Sequence, residues 1–291
     1  MTATLSIRDL RVAIGGTNVL RGVSLDVAPG EVRGLVGESG AGKSMLGRAV
    51  LGLLPVNATI TAGGIAFEGR DLDAMRETER RSLLGHRIAL IPQDPMTSLN
   101  PVKRVGVQLC ALLRHHLGLS RRAALARATE LLAEVAIREP PRVLGLYPHE
   151  ISGGMRQRVL IAMAFACNPA LVIADEPTTA LDVTVQRQVL QLVERLRKSH
   201  GAAVLFVTHD LGVVAKICRT MTVLHAGRVL EEGETAEVLT RPRHPYTRAL
   251  LAATPRADRP AEALRPVPPA LIEQLWSEAR RLDRVPAAGQ P

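Results

Sequence analysis

The spacing of apolar residues divides the chain into three textures. Over the first ninety residues, short segments of strand length recur: Leu5–Arg8, Val23–Val27 and Val32–Val36, then Ile65–Glu68 and Ile88–Ile91. Pro29–Gly30 marks a turn before the third of these, and one helical stretch, Lys43–Leu53, interrupts the series. The texture then becomes helical. From Ser120 to Ile137, Leu125, Ala128, Leu131, Leu132 and Val135 recur at helical spacing with Arg and Glu between them, and Ser120 is placed to cap the helix. A second helix is predicted from Gly153 to Cys167, so a helical insertion is expected at about 93–168. Strand-like runs return at Leu171–Ala174 and Ala203–Val207, apolar throughout as strands buried on both faces are, with a helix at Val183–His200 between them. Strands alternating with helices predict an α/β fold with a parallel sheet.

After Gly233 the pattern loosens. Residues 241–291 hold 9 of the chain's 19 prolines, which predicts an irregular wrap together with one helix at Leu271–Leu282. No internal repeat is present. With 291 residues, 46% of them apolar, the chain has material for one large core or two modest ones. A charged fraction of 22% excludes disordered and collagen-like classes. The longest apolar run, Val159–Cys167, is nine residues, against the ~20 that a membrane span needs. Met1–Leu10 alternates like a strand and lacks the apolar stretch of a signal peptide, so the chain is expected to be neither secreted nor self-inserting. Cys110, Cys167 and Cys218 follow no metal or disulfide spacing and are expected as buried, reduced thiols of a cytosolic protein. The net charge of +9 raises nucleic-acid binding. Against this, the 33 Arg and 4 Lys form no arm or stripe, and the 2% aromatic residues give no base-stacking platform. A basic surface toward anionic lipid headgroups fits the charge equally well.

Candidate chemistry begins at Gly37-Glu-Ser-Gly-Ala-Gly-Lys-Ser44, which matches G-x-x-x-x-G-K-[ST] between a predicted strand and a predicted helix. A chance match at this composition is on the order of a few in a thousand before the flanks are required. Gly37, Gly40 and Gly42 let the backbone bend so that N–H groups, including those through Ser39, Ala41 and Met45, turn toward phosphate oxygens. The helix N-terminus adds partial positive charge. Lys43 is then the contact to the β- and γ-phosphates of ATP, and the Ser44 hydroxyl a ligand of Mg²⁺.

A second feature is the apolar strand that ends in Asp175-Glu176. An Asp-Glu pair alone fits an exposed turn. After a buried strand in a chain with a phosphate loop, Asp175 suits Mg²⁺ and Glu176 suits polarisation of the attacking water. His209 and Gln93 each lie just past a predicted strand end, where α/β proteins bind ligands. His209 can hold the γ-phosphate and the attacking water, and Gln93 can meet Mg²⁺ or water. Taken singly, each fits a structural role as readily.

Ile151-Ser-Gly-Gly-Met-Arg-Gln-Arg158 reads physically as a second anion-binding helix start, with the Ser152 hydroxyl and the Gly153 and Gly154 N–H groups at its head. An ordinary capped helix has the same appearance. The block nevertheless resembles the signature motif of ATP-binding cassette (ABC) ATPases. The phosphate loop, Gln93, the signature, Asp175-Glu176, Ala180-Leu-Asp182 and His209 follow in that family's order over residues 4–232. The resemblance implies a P-loop NTPase (RecA-like) core with an N-terminal antiparallel β-subdomain, a helical insertion subdomain and a short C-terminal extension, the ATPase domain at 1–232 and the extension at 233–291. It also implies two cassettes meeting head to tail, each ATP held between one phosphate loop and the partner's Ser152-Gly153-Gly154. Asp182 would lie at that interface, and Glu176 would be the catalytic base for in-line attack by water. Hydrolysis would drive two transmembrane permease subunits, fed by a solute-binding protein on the outer side, from the cytoplasmic face of the bacterial inner membrane. The second cassette is the same chain or a different one.

Ile91-Pro-Gln-Asp-Pro-Met-Thr-Ser-Leu-Asn-Pro101, Tyr147-Pro-His-Glu-Ile-Ser-Gly-Gly-Met155 and His244-Pro-Tyr-Thr-Arg-Ala-Leu-Leu251 are similar to the oligopeptide, dipeptide and nickel importer branch. That implies uptake of peptides or, alternatively, of nickel or a metal chelate. A soluble ABC ATPase acting on nucleic acid or ribosomes is the remote alternative, since no coiled-coil insertion, zinc cysteines or tandem cassette is found. Two departures from the family stand out. Ile14 takes the place of the usual adenine-stacking aromatic, and the first aromatic residue in the chain is Phe67. Adenine on aliphatic surface forfeits about 1 kcal/mol, so relaxed purine preference or weaker ATP binding is expected. No cysteine follows Cys218, so the terminal cysteine cluster of many peptide-importer ATPases is missing, which leans toward the nickel or metallophore branch.

Overall fold

The computed structural model describes residues 2–179, 181–254 and 265–283. Within it the chain forms two compact units. One comprises Met1–Met75 with Leu205–Pro291, the other Arg76–Val204, and the chain passes between them within the fully buried strand Ala203–Thr208.

The first unit opens on an antiparallel sheet. Leu5–Ile14 pairs with Thr17–Val27 on one side and with Ala58–Phe67 on the other, and Arg70–Asp71 adds a short edge. Its inward residues, Leu5, Ile7, Leu10, Val12, Leu20, Val23 and Ile65, are buried. The first strand runs six residues past its expected end at Arg8. At that point Asp9 takes a left-handed conformation (φ 41°) and the register shifts on both sides. Gly63 accommodates the bulge, since a Cβ there would lie 2.3 Å from the Asp9 carbonyl oxygen. The bulge breaks the period-two pattern while the strand continues beyond it.

The same unit holds the strand Val32–Val36, parallel to Thr220–His225, which pairs antiparallel with Arg228–Glu234. The helix Lys43–Leu51 follows the first of these and ends at Gly52 in the left-handed conformation, two residues earlier than expected. The tail contributes the helices Pro245–Ala253 and Pro269–Leu282, the second containing the expected Leu271–Leu282. The rest of the expected irregular wrap, at 255–264 and 284–291, lies outside the described residues, as does Ala180.

The second unit carries two parallel strands, Ile88–Ile91 and Leu171–Asp175, paired Ile88 to Leu171 through Ile91 to Ala174. Helices fill the interval between them. Arg121–Glu134 is capped by Ser120, whose Oγ accepts from Ala123 N, and Ala124, Ala128, Leu131 and Leu132 form its buried face. Val105–Leu117 and Gly153–Phe165 pack in the same unit, and Val183–His200 follows. The three cysteines are free, Cys167 and Cys218 buried and Cys110 half-buried. Burial pushes the Cys167 thiol up to about 11, which makes it a poor nucleophile. Among the described residues no helix is long and apolar enough to cross a membrane, and no group of three His, Cys, Asp or Glu could hold a metal ion.

Candidate functional site

The first unit presents the phosphate loop. It leaves the buried strand Val32–Val36 at a point where the chain has no room for a side chain: a Cβ on Gly37 would lie 2.1 Å from the Leu224 carbonyl oxygen of the neighbouring strand. Gly42 (φ 104°) turns the chain into the helix that begins at Lys43. Ser39 and Gly40 are exposed at the loop's crest, Ser44 and Met45 are half-buried in the first helical turn, and the Ala41 carbonyl is tied down by Gly227 N at 2.9 Å. Lys43 is buried and its Nζ donates to the carbonyls of Gly37 (2.8 Å) and Glu38 (2.9 Å). The loop is therefore a closed ring spanned by its own lysine, with its cation stored at the mouth of a backbone cradle.

In the same unit His209 is exposed directly after the buried strand Ala203–Thr208. A built turn presents it. Thr208 Oγ1 accepts from Asp210 N at 3.0 Å, and the Asp210 carboxylate accepts from Gly212 N and Val213 N to start the helix Leu211–Ile217.

The second unit brings Gln93 and Glu176 together. Both follow the C-terminal ends of the paired parallel strands, so a sequence separation of 83 collapses to one hydrogen bond, Gln93 Nε2 donating to Glu176 Oε2 at 3.2 Å. The same carboxylate oxygen accepts from Thr179 Oγ1 at 2.9 Å. Glu176 is in the left-handed region (φ 47°), an uncommon state for a residue with a side chain, and its carboxylate is held by these two donors. Asp175 precedes it, half-buried at the strand end.

Ser152 caps the signature helix Gly153–Phe165, its Oγ accepting from Met155 N at 3.3 Å. Gly153 and Gly154 differ from Gly37 and Gly42, where a Cβ would crowd its neighbours, and are open like Gly40. A Cβ on Gly153 meets nothing within 4 Å, and on Gly154 only ordinary contact with Val185. Asp182 is exposed and caps Val183–His200 by accepting from Val185 N at 2.9 Å. Two residues escaped the sequence reading. Thr179 is the second anchor of Glu176. Gln157, 1% exposed, donates from Nε2 to the Pro177 carbonyl at 2.8 Å and ties the signature helix to the turn carrying Glu176. Gln157 lies inside the quoted signature, and only its burial marks it.

Residues 20–179 match the ABC transporter family, and residues 230–275 match the C-terminal region of oligopeptide/dipeptide transporters. The chain is 48% identical over 276 residues to the "Probable peptide ABC transporter ATP-binding protein y4tR" of Sinorhizobium fredii, covering 93% of this chain and 82% of that protein. It is 45% identical over 267 residues to the oligopeptide transport ATP-binding protein OppD of Bacillus subtilis, covering 90% and 75%. Among solved structures it resembles the ATP-binding cassette MJ0796, dimeric in a post-hydrolysis state with ADP and Pi, at a TM-score of 0.70 and 26% identity over 79% of this chain and 98% of that one. A phosphate loop built on a backbone cradle, a carboxylate braced at a strand end and a capped signature helix, in a chain matched along most of its length, have one explanation: this chain belongs to the ATP-binding subunits of ABC transporters, and it is an ATPase of the P-loop fold.

Proposed function

We propose that the chain hydrolyses Mg-ATP to drive peptide import, with two ATPase subunits, two membrane permeases and an external solute-binding protein assembled at the cytoplasmic face of the bacterial inner membrane. The carrying observation for the chemistry is Glu176, braced by Gln93 and Thr179 in a conformation that side chains rarely adopt. A carboxylate so fixed is pre-positioned to accept a proton from an attacking water. For the cargo, the match of residues 230–275 to the C-terminal region of oligopeptide/dipeptide transporters and the peptide names of the relatives favour peptides over a metal chelate.

The other roles follow by position. Gly37 through Met45 cradle the phosphates, Lys43 leaving the carbonyls of Gly37 and Glu38 to meet the β- and γ-phosphates. The Ser44 hydroxyl, the Asp175 carboxylate and the Gln93 amide are hard oxygen donors of the kind Mg²⁺ takes, and the ion's chemical contribution is to neutralise developing phosphate charge. His209 holds the γ-phosphate. Among the described residues nothing lies within 4 Å of a Cβ built on Gly153, which fits close approach by a group from outside, the phosphates of ATP on a second cassette. Asp182 belongs to the same cassette-to-cassette interface. The ATPase domain is assigned to 1–232, with its helical part at about 93–168, and the extension to 233–291.

Reconstitution in vesicles with the permeases and the binding protein is the test. Glu176→Gln is expected to leave ATP binding intact and reduce hydrolysis and peptide uptake at least a hundredfold. Uptake that survives the substitution refutes the mechanism.

A further inference from the structure

The phosphate loop carries an acidic residue, Glu38, where its ligand is a polyanion. The C-terminal extension holds that carboxylate. Glu38 follows Val36 and Gly37, and Val36 is in register with Val223 on the parallel neighbour, so the loop's second residue arrives beside His225 at the end of that strand. The Glu231 carboxylate fastens the extension nearby, accepting from Arg243 N at 2.7 Å and His244 N at 3.0 Å, and His244 Nδ1 caps the next helix by accepting from Tyr246 N. This places Tyr246, fully buried, with its hydroxyl donating to Glu38 Oε2 at 3.0 Å. His225 lies against the Tyr246 ring at 4.5 Å between centroids, and Trp276 of the last described helix meets it edge-on at 6.0 Å. His225 Nδ1 is 3.8 Å from the same Glu38 oxygen, too far for a hydrogen bond, and among the described residues neither of its buried ring nitrogens has a hydrogen-bond partner.

The geometry points to Tyr246 as a positioning residue for the phosphate loop: its hydroxyl holds the Glu38 carboxylate on the extension, away from the incoming phosphates. The physical case has three parts. A buried phenol needs an acceptor, and among the described residues Glu38 supplies it. A bond to an ionised acceptor is stronger than a neutral one, so the contact persists. Glu38 also supplies a carbonyl to Lys43, so its backbone and side chain are both committed, one to the lysine that must reach the phosphates and the other to the extension. The 233–291 extension is thereby part of the nucleotide site without touching nucleotide. This inference rests on the reading of Gly37–Ser44 as the ATP phosphate site.

The test is calorimetric titration of the full-length chain with Mg-ATP and Mg-ADP. Tyr246→Phe keeps the ring and removes the hydroxyl. It is expected to weaken Mg-ATP binding about three- to tenfold and Mg-ADP less, because a loosened carboxylate repels each added phosphate charge. Adding Glu38→Gln removes the charge, so the double variant is expected to recover most of the lost ATP affinity. Thermal unfolding without nucleotide separates this from loss of packing, which a second substitution at Glu38 has no reason to restore. Equal ATP affinity in parent and Tyr246→Phe overturns the proposal, as does a double variant no better than Tyr246→Phe. Lys43→Ala checks the underlying site. A parent that binds no ATP, or binds it undiminished by Lys43→Ala, overturns both readings, whereas an unaffected Tyr246→Phe beside a binding-competent parent overturns only the role of Tyr246.

Discussion

Asp283→Ala tests how the last described helix is attached. Asp283 closes Pro269–Leu282, and its carboxylate accepts from Arg21 Nε at 2.9 Å, Arg21 Nη2 at 3.1 Å and Asn18 Nδ2 at 2.8 Å. Arg21 is buried, its side chain 5% exposed against 26% for Asp283, and it keeps one further acceptor, the Ala226 carbonyl at 2.8 Å. Its guanidinium also lies 5.7 Å from the Trp276 ring on the same helix. Partial burial works to raise the Asp283 carboxyl, but the bonds from Arg21 and Asn18 outweigh it and hold the group below the usual carboxylate range. Truncation strands a buried guanidinium with two donors unmet. Breaking a buried pair from one side costs about 3–5 kcal/mol, and the partial exposure of Asp283 lowers the expectation to about 2–3 kcal/mol. For a chain of 291 residues that unfolds as one, that is a fall in Tm of about 3–5 °C. The sign of the coupling is the sharper criterion. Arg21→Met in the Asp283→Ala background removes the orphaned charge, so the double variant should be more stable than Asp283→Ala alone. Differential scanning calorimetry reads both quantities, and limited proteolysis reports release of the tail. A Tm change under 1 °C, or a double variant less stable than the single, refutes the reasoning.

Three further outcomes are expected. Ile14→Tyr should tighten ATP binding about fivefold and sharpen the choice of ATP over GTP, both measurable by titration, because the half-buried Ile14 offers no ring face to a purine; equal purine affinities with no gain in the variant count against this. Gln157→Leu removes the buried amide bond to the Pro177 carbonyl, and should lower kcat by about tenfold with little change in ATP affinity, since it frees the turn that carries Glu176 while leaving the phosphate loop untouched; a parental kcat in steady-state assay overturns that assignment. Stability should fall on acidification. Burial holds His116, His200, His225 and His244 below their ordinary value, so their contribution is whole above the unfolded value of about 6.5 and is lost as pH drops through it toward the folded values. Hydrogen bonds from Arg8 and Arg197 hold Asp26 and Glu194 low, a contribution present above about pH 4 and lost below it. Tm should thus be lower at pH 5.5 than at pH 7.5, and an equal or higher value contradicts the reading.

Much of the site was legible because its parts are local. The phosphate loop, the signature and the Asp-Glu pair are each continuous in sequence, and their helices begin where capping residues stand: Ser152 and Asp182 hold N-terminal N–H groups as their residue types predict. Element ends were less legible. The alternation of the strand Leu5–Ile14 stops at Arg8 because the bulge at Asp9 breaks it while the ladder continues. The strand Arg228–Glu234 is not marked by its sequence, because its Glu-rich, half-exposed residues lack an apolar face.

By itself the sequence determined the local devices, since a glycine-rich loop between a strand and a helix, or a helix that starts at a serine, is set by neighbours a few positions away. Tertiary structure decided which distant residues act together. Gln93 meets Glu176 because two parallel strands end side by side, and Gln157 supports the same turn because its helix is buried against it. Tyr246 reaches Glu38 across 208 residues because strand register brings the loop to His225 and the Glu231 carboxylate fastens the extension there. Such pairings are set by packing and register over the whole unit, so no local spacing encodes them.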